Sequence, residues 1–245
     1  WDDSYDEDGY GAVDDIVELA EQAQVALEAG DGRTALAILE AVTDEFSKHW
    51  EMLDEIGEDV SVFLDDTQTL WSEALLDPDL SAEERQHWAD RLGDWMEDFD
   101  ETAADGLELL QIVVRQGWDD PTLTRILRGE TVPGGLWGDD PPPHDQRAPI
   151  AQARLRILER TGQHEAYLHL AQAEHQYDDH ALKLLQLDRV GDAVRAGLEQ
   201  RLSDEGLLKL VKALYERDEI EAAFQLAEHG LRHLGLASAG TEDQR

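Results

Sequence analysis

The sequence predicts an all-α fold: antiparallel helix hairpins stacked as a degenerate tetratricopeptide-like α-solenoid. Apolar residues recur at intervals of three and four along most of the chain, the period of a helix face. Helix start and stop signals punctuate those runs. One turn signature also appears four times: "LEAGDGRTALAIL" (27–39), "LERTGQHEAYLHLA" (158–171), "LQLDRVGDAVRAG" (185–197) and "LYERDEIEAAFQLA" (214–227). Each copy places Gly or Asp (Gly30, Gly162, Asp188, Asp218) after an apolar stretch, with Ala35, Tyr167, Ala193 or Ala223 five residues on.

Residues 1–12, acidic and aperiodic, read as a mobile linker. Val13, Ile16, Val17, Ala20, Ala23, Ala26 and Leu27 then form one helix face, broken at Gly30. Asp31 is placed to cap the next helix, whose face is Ala35, Leu36, Leu39, Val42 and Phe46. Val60 to Leu75 forms a further helix, with Pro78 ending the region. Ser81 and Glu84 make an S-x-x-E capping box, which opens a helix bearing Trp88, Leu92, Trp95 and Phe99 on one face. The apolar run Leu107–Val114 reads as a packed helix, and Pro121 starts a short one ending at Leu127. The 13–128 segment is thus an acidic, Trp-rich helical subdomain.

Residues 129–149, "GETVPGGLWGDDPPPHDQRAP", hold five of the seven prolines and read as a loop and domain boundary. Helical pairs resume over 150–236: 150–160 with 164–175, 179–187 with 190–201, and 204–217 with 219–234. Two short helices cannot hide both apolar faces by themselves, so stacked copies share a core. The residue five past each turn is small because paired helices approach closely there. Tyr167 in that slot predicts a looser pair. Residues 237–245 read as a disordered tail.

Asp plus Glu number 57 against 20 Lys plus Arg, a net charge of −37. Residues 1–148 carry 40 acids and 8 bases; residues 149–245 carry 17 and 12. A field of that sign repels phosphate backbones and anionic membranes and attracts basic partners. Only 4 of the 20 bases are Lys, so adaptation of the surface to a salt-rich cytoplasm is a competing explanation of the acid. Cysteine is absent, which excludes disulfides, thiolate zinc sites and cysteine nucleophiles within this chain. No apolar run approaches the ~18 residues of a membrane span, and no signal peptide is visible, pointing to the cytoplasm. The chain starts at Trp1 rather than Met, as expected of a piece of a longer protein.

The stretches "EAGDGRTALAILEAVTDEF", "DDTQTLWSEALLDPDLSAEERQHWADRL" and "ARLRILERTGQHEAYLHLAQAEHQ", with the lead-in "DDSYDEDGYGAVDD", resemble the helical region that follows the zinc finger in bacterial SWIM zinc finger proteins. The resemblance covers roughly residues 5–236. It implies a tetratricopeptide-like interaction region attached to a zinc module that binds DNA or protein. That module requires a C-x-C…C-x-H ligand set. With no cysteine here, zinc is implied only for the part outside this chain, and no cofactor is expected within it.

The chemical motifs are weak. "HEAYLH" (164–169) places two histidines five apart, about 140° around a helix, rather than the i, i+4 of a zinc protease. His229 and His233 share a face but lack a third ligand, as does the cluster His175, Asp178, Asp179 and His180. "SYDEDGYGAVDD" (4–15) partly imitates a calcium loop, with Ser4 at the first ligand position and Asp15 where a bidentate Glu belongs. Gly9 and Gly11 start a G-x-G pattern that Asp14 fails to complete, and no G-x-S-x-G elbow occurs. Trp50, Trp71, Trp88, Trp95 and Trp118 at helical spacing read as core. Arg147, Arg154, Arg156 and Arg160, beside so acidic a neighbour, are expected to pair with it.

These readings point to a non-enzymatic protein-interaction or scaffold region that engages a basic protein partner. The acid of residues 44–101, with 20 acids and 3 bases, is the candidate surface. The expected contact residues are Asp65, Asp66, Glu97 and Asp98 on the acidic helices. Trp137 in the Pro/Gly loop is the fifth, either as a partner anchor or as a pin holding that loop to the helices. Two alternatives stand beside this: a ligand-binding or enzymatic domain using the Trp-rich half, and a structural spacer with a salt-adapted surface.

Overall fold

The computed structural model describes the backbone of residues 7–56, 60–77, 79–98 and 101–233, and side chains over 18–48, 67–77, 79–98, 106–144 and 146–232. Twelve helices and no strand occur among the described residues: α1 (Glu7–Glu28), α2 (Gly32–Ile56), α3 (Val60–Leu76), α4 (Ala82–Asp98), α5 (Glu101–Gln116), α6 (Pro121–Leu127), α7 (His144–Arg160), α8 (His164–Ala173), α9 (Tyr177–Gln186), α10 (Val190–Glu199), α11 (Asp204–Glu216) and α12 (Ile220–His233). They form two compact units, residues 1–125 with 137–162, and residues 126–136 with 163–245.

The repeated turn signature has one backbone cause. Gly30 (φ 75°), Gly162 (φ 70°), Asp188 (φ 62°) and Asp218 (φ 67°) all adopt the left-handed conformation. At Asp188 and Asp218 this reverses the chain into Schellman closures. Asp188 N donates to Leu185 O (3.1 Å) and Arg189 N to Leu184 O (2.9 Å); Asp218 N donates to Tyr215 O (3.1 Å) and Glu219 N to Leu214 O (3.0 Å). The carbonyls left over at a helix end are thereby satisfied. His175 (φ 59°) makes the same closure between α8 and α9. That turn escapes a search for Gly or Asp, yet it lies thirteen residues from both Gly162 and Asp188. The residues five past Gly30, Asp188 and Asp218 are buried alanines, as the close approach of paired helices requires. Tyr167, in the same slot, is half-buried, with the Lys183 ammonium 5.3 Å from its ring centroid.

In the first unit α1 and α2 pair antiparallel, and α4 pairs with α5. α3 runs against α1, α2, α5 and α7 and is the central helix of that unit. Asp31 caps α2 as its sequence position predicts: Oδ1 accepts from Thr34 N (3.1 Å). The capping box that opens α4 is complete. Ser81 Oγ accepts from Glu84 N (3.2 Å), and Glu84 Oε2 accepts from Ser81 N (2.7 Å). The core combines Leu27, Leu39, Leu92, Leu107 and Leu110 with three tryptophans. Trp71 meets Trp88 and Trp95 edge-on, with centroids 5.8 and 5.4 Å apart. Trp71, Trp88 and Trp95 therefore pack edge-on inside this unit, the core role their spacing predicts; Trp118 is half-buried against Leu76, Val113 and their neighbours, and the side chain of Trp50 lies outside the described residues.

In the second unit α9 pairs with α10 and α11 with α12, α8 lies on α9, α11 packs on α9 and α12 on α10. This is one hairpin stacked on the next. Small residues permit the approach: a Cβ added at Gly197 would lie 2.8 Å from Leu226 Cδ2, and one at Gly206 would lie within 2.5 Å of the Asp178 carboxylate.

Three expectations change. Helix α1 begins at Glu7, so residues 7–12 of the predicted 1–12 linker are helical. A calcium-type loop over 4–15 is incompatible with that helix. Second, the Pro-rich segment does not exclude helix up to 149: α7 starts at His144 and carries Pro149 within it. Pro149 is the sixth residue of α7, so it lacks the N–H that would bond the carbonyl four residues back, and the helix continues past that one missing bond. Gln68 Nε2 also donates to Gln146 O (3.2 Å) nearby. Third, 150–160 and 164–175 do not fall in one unit. α7 packs on α3 and α5 through Ile150 and Ile157, whereas α8 packs on α9. Residues 1–6 and the tail 237–245 lie outside the described residues.

Candidate functional site

Helix α4 sorts its side chains into two faces. Trp88, Ala89, Leu92 and Trp95 are buried. Glu83, His87, Asp90, Asp94 and Glu97 follow at intervals of four, three, four and three on the opposite face, all exposed. Carboxylates so spaced are helix-surface neighbours, and like charges at that distance destabilise the helix by a few tenths of a kcal/mol per pair. Glu83, Asp90, Asp94 and Glu97 have no cation partner among the described residues. Glu97 and Asp98 add a second cost. They sit in the last turn, where no basic residue is present and the helix dipole disfavours negative charge.

The cations of this region are spent elsewhere. Arg33 Nη1 bonds Glu84 Oε1 (2.7 Å). Arg91 pairs with Asp44, lies 3.7 Å from Glu40, and covers the Trp95 ring at 4.8 Å. Trp95 Nε1 donates to the same Asp44 carboxylate (2.9 Å). Lys48 pairs with Glu45 (3.1 Å). The predicted pairing of the arginine cluster with acid is present on α7. Arg160 binds Glu73 (2.8 Å) and Asp77, and Arg156 approaches Glu73 at 3.6 Å. Arg154 is 1 % exposed and donates to Gln116 Oε1 (3.3 Å). These arginines join helices of the first unit and do not form an exposed basic patch.

The five expected contact residues divide. Glu97 and Asp98 end the acidic face of α4, where Asp98 Oδ2 accepts from Ser47 Oγ (2.7 Å). Asp65 and Asp66 belong to α3, and their side chains lie outside the described residues. Trp137 is half-buried against Leu76, Leu109, Val113, Ile150 and Ile157 of α3, α5 and α7. It holds the part of the Pro/Gly segment from residue 137 onward against that core, one of the two roles its position allows. Sequence reasoning named the end of the α4 stripe but passed over Glu83, Asp90 and Asp94; the i, i+3, i+4 rule applied to acids rather than apolar residues finds them.

No group of three or more His, Asp or Glu placed to hold a metal occurs among the described residues, and the side chain of His233, partner of His229 in the sequence pattern, lies outside them. His175 Nδ1 is hydrogen-bonded with Tyr177 Oη (2.6 Å), and His180 Nδ1 with Gln200 Oε1 (3.1 Å). A groove of about 540 Å³ runs beside Leu198, Leu202, Leu207 and His229, and no tryptophan lines it. No described helix is long and apolar enough to cross a membrane.

Three comparisons with known proteins, against family models, curated proteins and solved structures, give no match.

The Arg33–Glu84 pair makes the α4 start acid-sensitive. Hydrogen bonding to Arg33, then to Ser81 N–H and hydroxyl, lowers the Glu84 pKa to about 2. A carboxylate whose pKa falls on folding contributes stability above its unfolded pKa, here near 4.5, and loses it as pH drops toward the folded value. Thermal midpoints should therefore fall between pH 4.5 and 2 more steeply in the wild type than in Glu84→Gln. Parallel acid limbs would remove this role for the pair.

Proposed function

We propose that this chain is a non-enzymatic protein-interaction region, a tetratricopeptide-like scaffold from a larger zinc-finger protein, and that the exposed face of α4 engages a basic protein partner. One observation carries the reading: four carboxylates lie on a single helix face without a cation partner among the described residues, at a cost to the helix that bears them. A basic surface docked there would neutralise them and would be steered by the negative field. The partner is a basic protein segment or the zinc module itself; the zinc in the reading belongs to that module and not to this chain.

The test is calorimetric titration with a lysine-rich peptide at about 50 and about 300 mM salt, since screening shortens the Debye length across that range. Affinity should fall at the higher salt, and Asp90→Asn/Asp94→Asn/Glu97→Gln should weaken it at least fivefold. The charge-matched control Glu108→Gln/Asp139→Asn/Asp140→Asn should not. Equal affinity at both salts, or equal loss in the control, refutes a localised site and leaves a salt-adapted surface as the account of the acid.

A further inference from the structure

At three of the five helix crossings the residue five past the left-handed turn is a buried alanine; past Gly162 it is Tyr167, and past His175 it is His180. The His180 ring is half-buried on α9, where Nδ1 is hydrogen-bonded with Oε1 of Gln200 (3.1 Å), the residue that ends α10. An amide oxygen only accepts, so Nδ1 carries the proton of the neutral ring. Two residues earlier on α9, Asp178 holds the same connection. Its Oδ1 accepts from Ser203 N (2.9 Å) and its Oδ2 from Ser203 Oγ. Ser203 in turn caps α11, its Oγ accepting from Gly206 N (2.9 Å). The connection 200–203, and with it the start of α11, is thus gripped from the first turn of α9 by one carboxylate and one imidazole.

We infer that His180 is a pH-sensitive latch: at neutral pH it holds the α10–α11 connection to α9, and in mild acid it lets that connection go and loosens the start of α11. Burial sets the direction. A half-buried imidazole is easily held neutral and costly to charge, and burial is the largest influence that brings the His180 pKa below its ordinary 6.5. The Gln200 hydrogen bond and Asp192 of α10 favour a charged ring, whereas Arg189, in the turn before α10, and His169 of α8 oppose it. Asp192 is a weak counter-ion for the ring because Arg189 (2.9 Å) and Arg195 already share it. Arg189 also approaches Glu165 of α8 at 3.3 Å. On α11, Lys209 lies within electrostatic reach of Asp178 and Asp179, the two acids preceding His180, and pairs with Glu205 (2.7 Å). A charged ring relieves its position by turning toward water, which gives up Gln200. A histidine whose pKa falls on folding stabilises the fold fully above its unfolded pKa, here near 6.5, and loses that contribution as pH drops from there toward the folded value.

The latch lies in the second unit and the acidic face of α4 in the first, so this inference stands or falls apart from the basic-partner reading. Hydrogen exchange of the whole chain, read by mass spectrometry over residues 200–207 and corrected for the intrinsic exchange rate, should show protection falling at least threefold from about pH 7.5 to about pH 5.5. His180→Gln keeps a side chain able to bond the Gln200 amide and never charges, so it should hold that protection constant. His229→Gln, at another half-buried histidine of the same unit, should keep the wild-type pH dependence. In the wild type, the His180 ring protons should titrate below pH 6.5 by nuclear magnetic resonance. Protection that is independent of pH in the wild type overturns the proposal, as does a pH dependence that persists in His180→Gln. A ring that titrates at or above pH 6.5 does the same, and it decides the matter alone should His180→Gln fail to fold.

Discussion

Replacing Trp71 with alanine is expected to destabilise the first unit by about 3–5 kcal/mol, the range for deleting a large buried aromatic. Trp71 is 1 % exposed and makes edge-on contacts with both Trp88 and Trp95. Its Nε1 donates to Thr43 Oγ1 (3.3 Å), so the substitution also strands a fully buried hydroxyl. The cavity would open where α2, α3 and α4 converge, with little freedom to collapse because Leu92 and Ala74 are already fully packed. Chemical denaturation followed by tryptophan fluorescence and circular dichroism gives the value. Trp71→Phe should recover part of it, since a ring is retained and the hydrogen bond is not. A loss below about 1 kcal/mol for Trp71→Ala would mean that the three tryptophans are not the packed centre of this unit.

Arg160→Met is the second large effect, expected at about 3 kcal/mol. Arg160 Nη1 donates to Glu73 Oε1 and to Leu27 O, both at 2.8 Å, and Nη2 pairs with Asp77. One guanidinium thereby ties α7 to the ends of α1 and α3. Methionine keeps much of the aliphatic stem but leaves Glu73, 4 % exposed, with only Arg156 at 3.6 Å. Removing one partner of a buried pair costs about 3–5 kcal/mol because the other charge is left desolvated. The lower end applies here, since the Arg160 side chain is 27 % exposed and part of its charge is already screened. The double variant Arg160→Met/Glu73→Gln should regain at least half of the loss. If it proves additive in urea denaturation, the pair is not coupled and the tie between the helices is apolar.

Much of the helical layout was legible in the sequence because its signals are local. The Ser81–Glu84 box, the Asp31 cap and the positive-φ turns at Gly30, Gly162, Asp188 and Asp218 involve residues within a few positions of one another. The buried faces of α4 and α11 follow from helical period alone. The partner choice of α7 was not legible. Ile150 and Ile157 carry an apolar face that fits any neighbour, and proximity along the chain favoured α8. The burial of Arg154 and the Arg160–Glu73–Asp77 group on α3 are set by residues more than thirty positions away. The left-handed turn at His175 was missed for a different reason. A histidine carries no expectation of positive φ, so only its regular distance from the flanking turns could reveal it. On the candidate surface the sequence gives the excess of acid, but which carboxylates remain without a counter-ion depends on where each arginine reaches.

The left-handed hinge residues have an evolutionary corollary. Glycine, aspartate and histidine all serve at these junctions, and what they share is a dihedral angle, joined at Gly30, His175, Asp188 and Asp218 by the same two main-chain hydrogen bonds. Between junctions the further demands are a small side chain at three of the five crossings and greasy spacing on one side. A lineage can satisfy both while exchanging nearly every letter, so a chain of this construction can drift out of reach of every alignment and still fold the same way.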